Sequence, residues 1–167
     1  MNSFPAIVGL IGVAIAVWGV YTQRAIARRR ATFDHISRST DDPTFVAAHW
    51  KLIELAKEAG GLAPWASEEN EKTSEVQSIR MVLNDFELVS IGIQRGIIDY
   101  EFYKRWYRGG VLRHWNYARP FVATLRTRTN NETLYHEFEQ LAGWFSENRP
   151  PPRNKWFMLG FRSDDEG

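Results

Sequence analysis

The chain has 167 residues, of which 44% are hydrophobic, 14% aromatic and 25% charged, and it contains no cysteine. That length supports one compact domain with at most an appended element, and the apolar content is too high for wholesale disorder. The lack of cysteine excludes disulfides, zinc–thiolate sites, iron–sulfur clusters and thiol catalysis, while a formal net charge of +1 hides an uneven distribution of acids and bases.

Met1 to Gln23 carries no charge, and Phe4 to Tyr21 is almost entirely apolar. A helix rises 1.5 Å per residue, so about 20 residues cross a hydrocarbon core of roughly 30 Å, and residues 1–23 are expected to form a transmembrane anchor. Pro5 lies in the first turn, where its missing N–H is harmless. Trp18 and Tyr21 stand near the exit, as interfacial aromatics do. Arg24, Arg28, Arg29 and Arg30 follow, with no acid before Asp34. Because positive charge stays inside, the expectation is a bacterial inner-membrane protein, single-pass, with the N-terminus outside and the rest cytoplasmic. A cleaved signal peptide fits less well, since its positive charges precede the apolar stretch. Gly9, Gly12, Ala16 and Gly19 line one helix face, a groove that lets a partner helix or a second copy approach closely. The general abundance of small residues in membrane spans would give the same pattern.

Residues 24–40 read as a basic juxtamembrane helix carrying Ile26, Phe33 and Ile36 before Ser39 to Asp42 breaks it. Asp42 and Pro43 then form the cap and first position of a new helix. Phe45, Ala48, Leu52 and Ile53 share one face of it, and Gly60-Gly61 ends it. Leu62 to Lys72 reads as a loop. The clearest helix follows, with Ile79, Val82, Phe86, Val89 and Ile93 at three–four spacing. Gly96 breaks it, and Asp99 caps a short aromatic helix, Tyr100 to Tyr107. Gly109-Gly110 is expected to break the chain again before a helix over Val111 to Arg126, kinked or interrupted before Pro120. Asn130 or Asn131 caps the last helix, carrying Leu134, Phe138, Leu141 and Phe145. Pro150 to Pro152 ends regular structure, and residues 149–167 form a Pro-rich, aromatic, then acidic tail. No alternating strand pattern is present. The expected fold is all-α: one N-terminal transmembrane helix followed by a cytoplasmic bundle of about five helices, over residues 41–148.

The run Asn84 to Val122 resembles a family of bacterial and prophage proteins of unknown function. The resemblance rests on Asn84, Phe86 and Glu87, on Ile91-Gly92-Ile93 and Gly96-Ile97-Ile98-Asp99, and on Trp115 and Pro120-Phe121. Members pair one membrane span with a small helical domain. The resemblance implies an anchored helical fold and bacterial origin, and it supplies no substrate, cofactor or catalytic residue.

Charge is segregated along the chain. Glu54 to Glu87 holds eight acids against three bases, a balance of −5, and Arg95 to Arg128 holds eight bases against two acids, a balance of +6. In the basic block, Tyr100, Phe102, Tyr103, Trp106 and Tyr107 interleave with Lys104, Arg105 and Arg108. Such a segment can meet a protein partner or anionic headgroups, or stack nucleic-acid bases. The intramolecular alternative has the acidic helix neutralising the basic one while the aromatics fill the core. Nucleic acid is disfavoured for want of a recognised fold.

Four histidines are present: His35, His49, His114 and His136. Glu132 and His136 have a one-face chelating spacing, yet no Glu-x-x-His occurs and no second His completes a metalloprotease motif, so surface pairing is expected and no metal or other cofactor. Asp85, Glu87 and Asp99 flank the most apolar stretch with Arg95 between them. They read as caps and Arg partners before they read as a catalytic carboxylate pocket. No nucleophile elbow, P-loop or dinucleotide fingerprint appears, and an enzyme is not expected. The functional expectation is a membrane-anchored interaction module, an accessory, assembly or regulatory subunit binding the bilayer and another membrane protein or itself. Its contact residues would be Gly9, Gly12, Ala16 and Gly19, Arg28, Arg29 and Arg30, and Arg105, Trp106 and Arg108. A prophage-type defence or exclusion factor is the alternative.

Overall fold

A computed structural model describes residues 4–152, with side chains at Gly9 and from Ile11 onward. Five α-helices and one 3-10 turn account for the regular structure among the described residues. They are α1 (Phe4–Asp41), α2 (Pro43–Ala56), the turn Ala63–Ala66, α3 (Ser74–Gln94), α4 (Tyr100–Thr129) and α5 (His136–Ser146).

The helix starts follow from side-chain chemistry. The Asp42 carboxylate accepts from the Thr44 and Phe45 amides while Pro43 takes the first position of α2. Thr73 accepts from the Val76 amide at α3, and Asp99 from the Phe102 amide at α4. Each satisfies an amide that has no partner within its own helix. The turn after α3 uses Gly96 at φ +67, a left-handed conformation that glycine adopts without penalty.

Two expectations about the elements are corrected. Gly109-Gly110 does not interrupt the chain, since α4 runs unbroken from Tyr100 to Thr129. Gly110 is buried instead beneath the Tyr107 ring, where an added Cβ would lie 2.5 Å from ring atoms. It is a close-packing position, and packing outweighs the roughly 1 kcal/mol that glycine costs inside a helix. The helix also passes through Pro120, which is exposed, as is Asn116 four residues earlier, so water can satisfy the carbonyl that proline leaves free. In addition, α5 starts at His136 rather than at Asn130 or Asn131. Asn130 closes α4 in a left-handed conformation, and the Asn131 side chain accepts from the Thr133 amide in a turn.

The anchor is corrected as well. Among the described residues no helix is long and apolar enough to cross a membrane. Along α1 the apolar stretch gives way after Tyr21 to Thr22, Gln23 and Arg24, and then to Arg28, Arg29 and Arg30. The rest of the expected span, residues 1–8 and 10, lies outside the residues whose side chains are described. With the anchor, the expected single-pass, inner-membrane placement is also overturned. Residues 24–40, expected as a separate element, are the continuous second half of α1.

The core lies where α2, α3, α4 and α5 meet. Leu52 and Leu55 of α2, Ile79, Val82, Leu83 and Phe86 of α3, Phe121 and Val122 of α4, and Phe138, Leu141 and Phe145 of α5 are all buried. Phe86 is its hub, stacked on Phe138 at a centroid distance of 4.4 Å and on Tyr107 at 6.0 Å. Leu62 and Ala66, on and beside the 3-10 turn, close the side of the core next to α4.

Candidate functional site

The two halves of α1 have opposite environments. The second half docks on the bundle through a stripe at helical spacing that includes Arg28, Thr32, His35 and Ile36. The Thr32 hydroxyl is fully buried, donates to the Arg28 carbonyl at 2.8 Å and accepts the Asp99 amide at 2.7 Å. Arg28 Nε lies 3.2 Å from the Asp99 carboxylate, and His35 Nε2 lies 3.5 Å from that of Asp85. Asp99 therefore caps α4 and holds α1 at once. Arg28 is thus turned into the bundle, whereas Arg29 is exposed and Arg30 makes only an exposed pair with Asp34 at 3.9 Å.

Among the described residues the first half of α1 has no such partner. Ile11, Val13, Ile15, Val17 and Val20 are all exposed, with Trp18 at 70% and Tyr21 at 72%. They leave one sector of the helix to the small residues Gly9, Gly12, Ala16 and Gly19, so this half is apolar on every side. Beyond its own helix backbone, a Cβ added at Gly9, Gly12 or Gly19 would meet none of the described residues within 4 Å, and Ala16 is exposed beside them. Exposed apolar patches of this extent are uncommon on monomeric proteins.

The basic block on α4 is divided between two roles. Tyr103 is buried, and Tyr100 and Tyr107 are half-buried against the core. Phe102 and Trp106 face outward, Trp106 at 60% exposure. Arg108 donates to the Phe145 carbonyl at 2.8 Å and so ties α4 to the end of α5. Arg105 stands exposed next to Trp106. Neutralisation between the acidic and basic blocks is narrow: Glu71 meets Arg128 at 3.4 Å, while its other contact, Arg80, belongs to its own block. Of the expected contact residues, then, Arg105 and Trp106 share a surface, and Arg108 serves the fold.

The acids near the core serve the fold in the same way. Glu87 accepts the Phe138 amide at 3.0 Å, so a side chain of α3 caps the first turn of α5. Burial pushes its carboxyl above the usual carboxylate range. Glu137, next in that turn, receives hydrogen bonds from Ser90 and Gln94. Glu132 and His136 are both exposed, and His136 meets Gln140 at 2.7 Å. No group of three His, Asp or Glu suited to a metal ion occurs among the described residues.

One cluster escaped the sequence reading. His49 of α2 and His114 of α4 meet with Nδ1 and Nε2 3.0 Å apart, inside a cage formed by Phe45, Phe86 and Tyr107. His114 Nδ1 lies 2.8 Å from the Gly110 carbonyl. Burial lowers both rings, His49 to about 4, where the nearby His114 adds to the effect. Its available signals were His49 at four-residue spacing from Phe45 and His114 at the same spacing from Gly110. Neither indicates the 65-residue separation that the fold closes.

The family model described as a domain of unknown function, DUF4760, matches residues 6–144. The chain belongs to that family: an all-helical, functionally uncharacterised domain spanning both α1 and the bundle. No curated protein and no solved structure matches the chain.

Proposed function

We propose that the protein is an interaction module, an accessory, assembly or regulatory subunit in which the bundle holds α1 out as an arm for a partner protein. What carries this reading is the first half of α1, apolar on all sides and exposed from Ile11 to Tyr21. A helix that is apolar all round is stable in water only when other helices enclose it. The occupant is therefore an apolar helix, or pair of helices, from the partner. The small side chains at Gly9, Gly12, Ala16 and Gly19 let such a helix approach closely. The docked half of α1, fixed through Thr32, Arg28 and His35, gives the arm a set direction and so lowers the ordering cost of binding.

The test is purification of the tagged protein at native expression, with mass spectrometry of what accompanies it, alongside a Gly12→Leu/Ala16→Leu variant. Neither position touches the bundle, so the variant keeps its fold. A stoichiometric protein partner present with the wild type and lost from the variant supports the arm. A partner retained by the variant, or none in either preparation, contradicts it.

A further inference from the structure

The His49–His114 contact has a fixed proton order, and that order makes it sensitive to acid. The Gly110 carbonyl can only accept, so His114 Nδ1 carries the hydrogen of their 2.8 Å bond. In the neutral ring Nε2 then presents a lone pair. His49 Nδ1 must supply the hydrogen across the 3.0 Å gap, which leaves His49 Nε2 bare. With both rings neutral every bond is made. A first added proton breaks nothing on either ring: on His49 Nε2 the bond stands as it is, and on His114 Nε2 the bond reverses, His114 donating to His49 Nδ1 once His49 carries its own hydrogen on Nε2. A second added proton leaves both nitrogens of both rings carrying hydrogen. Two N–H groups would then face each other between two cations, within a cage that supplies Phe45, Phe86 and Tyr107 but little water.

We propose that this contact is a proton-operated latch, holding α2 on α4 while the pair carries at most one added proton and releasing α2 when acid protonates both rings. The groups facing the pair give the direction. From α3, Asp85 favours a proton on His49, and it is shared with His35 of α1. From α4, Arg113 disfavours a proton on His114, while the buried Tyr103 and half-buried Tyr107 stay neutral because burial raises their phenols. The neighbour from α5 is Phe138, which bears on Phe86 and carries no charge. Release reaches the arm because α1 and α2 are joined by Asp42 alone and Asp85 serves both histidines. This latch goes beyond the interaction reading and does not depend on a partner.

The experiment is nitrogen NMR of the full-length protein labelled at histidine, from pH 7.5 to 3, with amide exchange read on the same samples after correction for intrinsic rates. At pH 7 the nitrogen shifts are expected to show His114 as the Nδ1–H tautomer, with both rings neutral. His49 is expected to titrate near pH 4. As the second ring protonates, amide protection in α2 is expected to fall at least tenfold while α3 and α5 keep theirs. In His114→Gln, His49 is expected to titrate at higher pH because the like charge is gone. An Nε2–H tautomer at His114 overturns the latch, as do two rings titrating together near 6.5 or α2 protection unchanged through the second protonation. The wild-type spectra decide the matter even if His114→Gln does not fold.

Discussion

Replacing Phe86 by alanine tests the packing of the bundle most severely. The ring is 1% exposed, lies nearly parallel to Phe138 at 4.4 Å and to Tyr107 at 6.0 Å, and approaches both His49 and His114. Truncation at such a site removes the transfer energy of the ring and leaves a cavity, together about 3–5 kcal/mol. That figure already contains the loss of the two aromatic contacts, roughly 0.5–1.5 kcal/mol each. Helices α3, α4 and α5 all bear on the site, so it can collapse only slightly, and the expected loss lies near 4 kcal/mol, the middle of that range. For a domain of this size the melting temperature should fall by roughly 8–16 °C. Urea unfolding followed by circular dichroism gives the free energy, and Phe102→Ala at a 44% exposed position on α4 is the control, expected to change stability by about 0.5 kcal/mol or less. A Phe86→Ala loss below about 1 kcal/mol, or one equal to that of Phe102→Ala, would refute Phe86 as the hub.

Three further substitutions probe the contacts that position the helices. Asp99→Ala removes both the cap of α4 and the partner of Arg28; thermal melts should show a loss of about 1–2 kcal/mol, and limited proteolysis should find new cleavage between Ala25 and Ile36. Gly110→Ala forces a Cβ into the Tyr107 ring, and a cost of about 1–3 kcal/mol is expected in urea titrations, with a gain in stability as the contrary result. Glu87 has its carboxyl raised by burial, so the stability it contributes is present below the unfolded value and declines as pH rises through the folded one. Glu87→Gln should therefore gain on the wild type between about pH 4.5 and 7 in paired melts, and a widening deficit over that range would reverse the assigned cause.

Much of the bundle is written locally. Asp42-Pro43, Thr73 and Asp99 mark helix starts by hydrogen bonds spanning two or three residues, and the Ile79 to Ile93 stripe is nearly the buried face of α3. What is not legible is set by distant residues. Gly109-Gly110 has the local character of a break, but the Tyr107 ring over Gly110 turns it into a packing notch. Glu87 reads as half of an ion pair and instead caps a helix 51 residues further on. Thr32 and Asp99 stand 67 residues apart, and nothing near either one indicates the other. The apolar N-terminal run has the composition of a membrane span, whereas among the described residues no helix is long and apolar enough to cross a membrane, and α1 passes without a break into the stripe that docks on the bundle. The apolar character of the first half of α1 is legible because composition does not depend on distant contacts. The histidine pair is not, because it exists only once α2 and α4 are together.

The arm is tested most directly by placing a photo-crosslinking residue at Val17, on its exposed apolar surface, and another at Glu101, exposed on the bundle. Irradiation of cells expressing each form at native level should give one discrete protein adduct from Val17, absent from Glu101 and lost when Gly12→Leu/Ala16→Leu is added. No protein adduct at Val17, or the same adducts from both positions, would contradict an arm enclosed by a partner.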